Sequence, residues 1–204
     1  NQMVEALNGR FAHLDMAADV DDWCKWAVSA EGNIHPAVIA CIRLRRELLS
    51  QPASTKDPSG KVTKQRAWAS PRSIAHASAI YHANGTLPGH LRLEVLRGLV
   101  GDGPAIELEA MYQVWRTCPQ LDAIRMNPDT TPVPTEPSIL WAIASAIGRT
   151  ATDTNISAFI QYCNRMPDEY GWIAIRDATR RDPSIATNPA YTRSEEHTSE
   201  LQSR

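Results

Sequence analysis

From residue 20 onward, apolar side chains recur three and four positions apart, with polar residues between them. That period puts the apolar positions on one face of a helix, where a strand would alternate. Asp19 reads as the N-cap of a first helix over about 20–30. Asp21 and Asp22 fall in its first turn, where carboxylates offset the helix dipole. Trp23, Trp26 and Ala27 share one face of it, and Gly32-Asn33 ends it. His35-Pro36 opens a second helix to about residue 49, with Val38, Ile39, Ile42 and Leu48-Leu49 as its buried stripe. Residues 51–64 are polar and rich in Pro, Ser, Gly and Lys, and read as a solvated loop. A third helix over 71–83 buries Ile74, Ala77 or Ser78, and Tyr81, and Asn84-Gly85 stops it.

Leu87-Pro88-Gly89 begins a new set of helices, expected over about 90–99, 105–116, 121–126, 136–147, 153–165 and 168–181. In the fifth helix Ile106, Leu108, Met111, Val114 and Trp115 form the apolar set, and a proline-rich loop spans 127–135. Residues 3–15 suggest a short helix, a turn at Asn8-Gly9 and a brief strand in which alternation is weak. No other stretch reads as a strand, so the expected class is all-α.

Composition narrows the picture without redirecting it. The 204 residues are 43% hydrophobic and 22% charged, ordinary for a soluble globular protein. A net charge of −2 supplies no global basic field for nucleic acid or anionic membrane. The longest apolar run, Ile139 to Ile147, is far short of the roughly 20 residues a bilayer requires. No signal peptide is visible, and the expected location is cytoplasmic. Cys24, Cys41, Cys118 and Cys163 lie far apart with no CxxC pair, so they read as reduced, buried thiols. The chain opens on Asn1 without a methionine and is expected to be a fragment. Residues 193–204 match a sequencing adapter translated in one frame, and are set aside from fold and function.

Candidate chemistry concentrates at Ala69-Ser70-Pro71-Arg72-Ser73. Ser70 is an N-cap residue, and Pro71 suits the first helical position, where a missing N–H costs nothing. Arg72 then sits in the first turn, where the dipole disfavours a cation unless an anion is near. A guanidinium beside free backbone N–H groups is a phosphate reader; the plainer reading is an exposed arginine after a proline. The chain lacks GxxxxGK[ST], HExxH and GxSxG, and shows no paired-carboxylate or metal-ligating arrangement. His76 and His82 are six apart and read as ordinary histidines. Arg43, Arg45 and Arg46 read as a solvated basic face, and Trp23, Trp26, Trp115, Trp141 and Trp172 as core.

Three segments together resemble the C-terminal part of MoxR-like AAA+ ATPases. Leu7-Asn8-Gly9-Arg10-Phe11-Ala12-His13 is similar to the family's NRF-H stretch, with Gly9 interposed between the asparagine and the arginine. Asp21-Asp22-Trp23 followed by Ile34-His35-Pro36-Ala37-Val38-Ile39 resembles the helical lid, and Ala69 to Ser73 resembles the sensor 2 segment. The likeness continues less specifically through Leu99-Val100-Gly101 to about residue 191. It implies a remnant of the α/β nucleotide-binding core over 1–17, a helical lid over 18–84 and a C-terminal helical extension over 86–192. It further implies ATP as the cofactor, with Mg²⁺ held by upstream Walker segments absent from this sequence. Arg10 would be an arginine finger acting on a neighbouring subunit's ATP. Arg72, with Pro71 and Ser70, would read the phosphates of the subunit's own nucleotide. The implied parent is a homo-oligomeric ring that remodels a protein client, with neither nucleic acid nor membrane as partner. The rival expectation is a non-enzymatic all-α interaction module. A helical nucleic-acid binder ranks third because of the charge.

Overall fold

The computed structural model describes residues 17–56, 62–83 and 87–192. Its architecture is predominantly helical: α1 (Val20–Val28), α2 (Pro36–Leu44), α3 (Pro71–His82), α4 (Gly89–Val100), α5 (Asp102–Thr117), α6 (Leu121–Met126), α7 (Pro137–Thr150), α8 (Ile156–Cys163) and α9 (Asp168–Arg181). Short 3-10 turns occupy Arg46–Leu48 and Pro183–Thr187. The expected elements in 3–15 lie outside the described residues.

The helix boundaries follow local chemistry. Asp19 caps α1 by accepting the Asp22 N–H at 2.8 Å. His35 caps α2 through Nδ1, which accepts the Ala37 N–H at 3.2 Å, and Pro36 takes the first helical position. The second helix is shorter than expected: Arg45 leaves helical geometry and a 3-10 turn carries the chain to Leu49. Gly101, at φ +89°, both ends α4 and starts α5 at Asp102, earlier than the pattern suggested. A Cβ there would also come within 2.9 Å of the Ala67 carbonyl oxygen, so glycine is required twice over.

The expected loop 51–64 needs correction. Ser54–Lys56 and Val62–Lys64 pair as an antiparallel ribbon, β1 and β2, with Thr55 opposite Thr63. Such a short, polar hairpin has too few apolar positions to betray its alternation in sequence.

At the centre lies α2. Ala37, Val38, Ile39, Ala40, Cys41 and Ile42 are all buried, although a one-sided stripe was expected. A helix buried all round needs neighbours on several sides, and α2 packs against α1, α5 and α7. The interface between α7 and α9 is the most extensive, and one contiguous apolar core runs from Val20 to Ile185. That core is continuous across the boundary expected at 84–86. Tyr81 of α3 stacks on Tyr112 of α5 at 4.4 Å between ring centroids. All four cysteines are free and buried. Burial raises their thiols, to about 11 for Cys24 and Cys118 and about 12 for Cys41 and Cys163, so they pack as neutral groups.

Arg43 corrects another expectation: it is no part of a solvated face. Its side chain is 6% exposed and forms an ion pair with Asp177 of α9, which is 2% exposed. Nη1 also donates to Ser145 Oγ of α7 at 3.2 Å, and the guanidinium lies 5.7 Å from the centre of the Trp141 ring. Arg176 donates to the second Asp177 oxygen at 3.2 Å. Gly148 makes room for this pair, since a Cβ there would meet Asp177 Cβ at 2.8 Å. Arg45 and Arg46 are exposed as expected, bonded to Glu107 and Asp21. Three apolar assignments fail: Trp26, Trp172 and Ile106 are 38%, 57% and 52% exposed. Trp172 instead shields Arg176, whose guanidinium lies 4.6 Å from its ring centroid.

Removing one member of a buried pair strands the other charge. Asp177→Ala is therefore expected to cost about 3–5 kcal/mol, while Arg43→Met with Asp177→Leu recovers most of that loss. Urea denaturation of the three proteins checks this; a cost below about 1 kcal/mol for Asp177→Ala would show the pair to be dispensable.

His35 generates a second prediction. Burial pushes its imidazole down to about 3, with the positive charges of His82 and Arg149 acting in the same direction. The unfolded chain takes up a proton near the ordinary 6.5 while the native ring stays neutral, so this contribution is complete above that pH. It falls away as pH drops toward 3, at up to about 1.4 kcal/mol per pH unit. His35→Asn keeps a capping acceptor and should flatten the stability–pH curve in that window, as read by thermal melts from pH 7 to 4.

Candidate functional site at the start of the third helix

The site builds from Ser70. Its extended backbone and the proline after it fix where α3 begins. Ser70 Oγ accepts the Ser73 N–H at 3.2 Å, and Ser73 Oγ accepts the Ser70 N–H at 2.9 Å. The two residues thus form the reciprocal capping box, here closed by serine where glutamate is usual. The Ile74 N–H reaches the Ser70 carbonyl at 2.9 Å. The segment just before the helix is tied down as well, for the Ala69 carbonyl accepts from the Gln51 N–H at 2.9 Å.

This accounting changes what the helix start can offer an anion. Pro71 has no N–H, and Ser73 and Ile74 have spent theirs. Among the described residues, the Arg72 amide alone in that first turn lacks an acceptor. The several free N–H groups expected from sequence thus reduce to one, and the guanidinium carries the rest.

Arg72 itself is exposed, and among the described residues neither a carboxylate nor a carbonyl accepts from it. Most other arginines are occupied. Arg92 makes a bidentate pair with Glu109, Arg97 pairs with Glu94, Arg125 with Asp122, and Arg165 and Arg181 donate to backbone carbonyls. Arg66 and Arg180 are also without partners among the described residues, but neither begins a helix. A cation left unpaired near the positive end of a helix dipole is disfavoured by itself, and a bound anion would relieve both.

The rest of α3 makes Arg72 a pointer on a rigid mount. Ile74, Ala77, Ser78 and Tyr81 are buried, all four as the spacing predicted, including both alternatives at 77 and 78. Ser78 Oγ accepts the His35 N–H at 2.7 Å, bolting α3 to the start of α2. His82 Nε2 donates to the Asn33 carbonyl at 2.8 Å, and the Asn33 side chain accepts from Arg149 of α7. Asn33 holds this position at φ +45°, a conformation asparagine tolerates.

A cleft of about 1040 Å³ opens beside the segment leading into α3. Gln65, Arg66, Arg97, Glu94, Asp102 and Glu107 are among its walls, giving it more carboxylates than cations. Ser70, Pro71 and Arg72 do not line it. It is therefore poorly suited to a phosphate, and Arg72 stands apart from it. Arg10 lies outside the described residues. His76 and His82 are exposed helix residues. Among the described residues, no group of three or more His, Cys, Asp or Glu is placed to hold a metal ion, and no helix is long and apolar enough to cross a membrane. Sequence reasoning did not single out the ring cluster around His35, where Tyr81, His82, Tyr112 and Trp115 all lie within 6 Å between ring centroids. Tyr81 and Trp115 were read as core of separate helices, His35 as a helix start and His82 as an ordinary histidine, so nothing joined them.

Comparison with protein-family models, with curated proteins and with solved structures returns no match to this chain. One exposed guanidinium and one amide make a weak anion site in water. The isolated 204-residue chain is accordingly expected to show no ATP turnover and no micromolar ATP affinity. Phosphate release and calorimetric titration test both, and turnover by the purified chain would overturn the expectation.

Proposed function

We propose that this chain is the lid and C-terminal helical part of a MoxR-like AAA+ ATPase, coupling ATP binding and hydrolysis to remodelling of a partner protein. The observation that carries the reading is Arg72: exposed, without an acid partner among the described residues, and held on a doubly capped helix start. Those properties suit a side chain that meets phosphate when a second body closes against the lid. Ser70 and Pro71 serve by fixing the helix start, and so the direction in which Arg72 leaves it.

On this reading ATP, with Mg²⁺ held by residues upstream of this sequence, supplies a γ-phosphate whose charge grows toward transfer. Arg72 would bind that charge in its own subunit. Arg10 would approach the nucleotide of the next subunit in a homo-oligomeric ring. Two guanidinium groups reporting on phosphate from two subunits would couple lid position to hydrolysis. The rigid mount of α3 on α2 and α5 supports the further step, since a pull on Arg72 would be carried into the C-terminal helices rather than absorbed by a hinge.

The test is Arg72→Ala in the full-length protein. Loss of charge-assisted hydrogen bonds to phosphate is expected to lower ATP turnover about 10- to 100-fold. Thermal stability should move little, because the side chain is exposed. An unchanged rate would return Arg72 to a surface role. It would then favour the second reading, a non-enzymatic interaction module. That reading draws on Leu91 and Val95, which stand 45% and 44% exposed one turn apart on the outer face of α4.

A further inference from the structure

A second cleft, of about 540 Å³, lies on another part of the molecule, where the end of α5 meets α6 and the start of α8. Its volume is in the range that small-molecule sites occupy. Neither Arg72 nor the segment before α3 contributes to it.

One part of the wall is built of rings. His35, Tyr112, Trp115 and Phe159 all line the cleft. The His35 ring stands edge-on to Tyr112 at 5.6 Å and to Trp115 at 5.7 Å between centroids. Tyr112 is already covered, by Tyr81 stacked at 4.4 Å and by the Arg92 guanidinium 4.8 Å from its ring centre, so half-buried Trp115 is the ring left to meet a further planar group. His35 is about nine-tenths buried. Because Nδ1 accepts the Ala37 N–H, the proton of the neutral ring sits on Nε2, which has no acceptor among the described residues. That N–H is not sealed from solvent, so water reaches it and a ligand oxygen would take that water's place.

The rim is cationic. Arg116 and Arg125 both line the cleft and both are exposed, with Asp122 between them in sequence and bonded to Arg125 at 3.2 Å. Arg116 has no carboxylate partner among the described residues, only a 3.5 Å contact to Gln113 Oε1. One guanidinium is thus left over after the rim's ion pair is counted. An indole ring at the wall, a neutral N–H open to water and an unanswered cation at the rim define one ligand chemistry. We propose that this cleft binds a small aromatic acid, with its ring against Trp115 and its carboxylate or phosphate on Arg116 and Arg125.

The indole N–H signal of Trp115 in the isotope-labelled full chain, assigned with Trp115→Phe, reports on the cleft directly. The probes are 1-naphthyl phosphate and 1-naphthoate, which separate an organic phosphate from a carboxylic acid. Inorganic phosphate and 1-naphthol each supply half of the recognition. A saturable shift of that signal is expected with at least one of the two acids, at concentrations where neither half-ligand moves it. Arg116→Gln, which strands no ion pair, should weaken the acid about tenfold, and Arg116→Gln with Arg125→Gln should weaken it further. Both positions are exposed, so the remaining spectrum should stay that of the parent chain. The proposal is overturned if neither acid gives a saturable shift, if 1-naphthol matches the acids, or if the double variant binds as the parent does.

Discussion

Arg43 holds its charge out of water among three helices, and the arrangement of the bundle follows from what that charge requires. A buried guanidinium must have its donors answered, since an uncompensated charge in the interior costs more than most single contacts return. Asp177 of α9 and Ser145 of α7 supply the acceptors, and Arg43 itself comes from the last turn of α2. One side chain therefore fixes the mutual placement of the central helix and the two helices with the largest shared interface. Hydrophobic burial alone would tolerate sliding or rotation of α7 over α9. The planar fork of an arginine does not. Gly148 records the same constraint from the other side, since the backbone of α7 must come close enough for Asp177 to reach inward. Whether the pair adds net stability over a well-packed apolar substitute is a separate matter. What the geometry shows is one directional contact joining α2, α7 and α9, the kind of contact that can distinguish one packing from another.

Much of the helical order was legible because it rests on short-range chemistry. Asp19, the His35-Pro36 step, Ser70-Pro71 and the apolar triplet of α3 act within one or two turns, and they appear in the structure where their spacing puts them. The failures have a common cause. Arg43 was read with its neighbours Arg45 and Arg46 as a solvated face, but the residue that makes it an interior group is 134 positions away. Trp26 and Trp172 were read as core because large rings bury area. One lies at the edge of α1 and the other covers Arg176 from outside. The hairpin of β1 and β2 escaped because paired polar strands leave no periodic apolar mark.

The candidate site shows the same division. Ser70, Pro71 and Arg72 were identified by local rules, and the capping box makes their geometry more definite than the motif required. What sequence could not supply was the occupancy of each N–H. The cap that fixes the helix start also consumes donors that would otherwise be open to an anion. On the reading proposed above, affinity for phosphate would shift from backbone to side chain, and from this chain to whatever closes against it. A reader built on one exposed arginine is weak when open and effective when a second surface excludes water, because charge-assisted bonds strengthen as the local dielectric falls.

That dependence bears on how movement could pass through the molecule. α3 carries Arg72 at one end, and at the other it is joined to α2 by Ser78 and to α5 by the Tyr81–Tyr112 stack. Asn33 is bonded to His82 of α3 and to Arg149 of α7, so the turn between α1 and α2 ties both helices together. Close-packed interiors of this kind transmit displacement instead of absorbing it. A force applied at Arg72 would thus reach α7 through α2 and Asn33. The ring cluster around His35 lies beside that route and forms a wall of the second cleft. Ligand at either end would act on a shared set of contacts, and any coupling between them would have to be reciprocal.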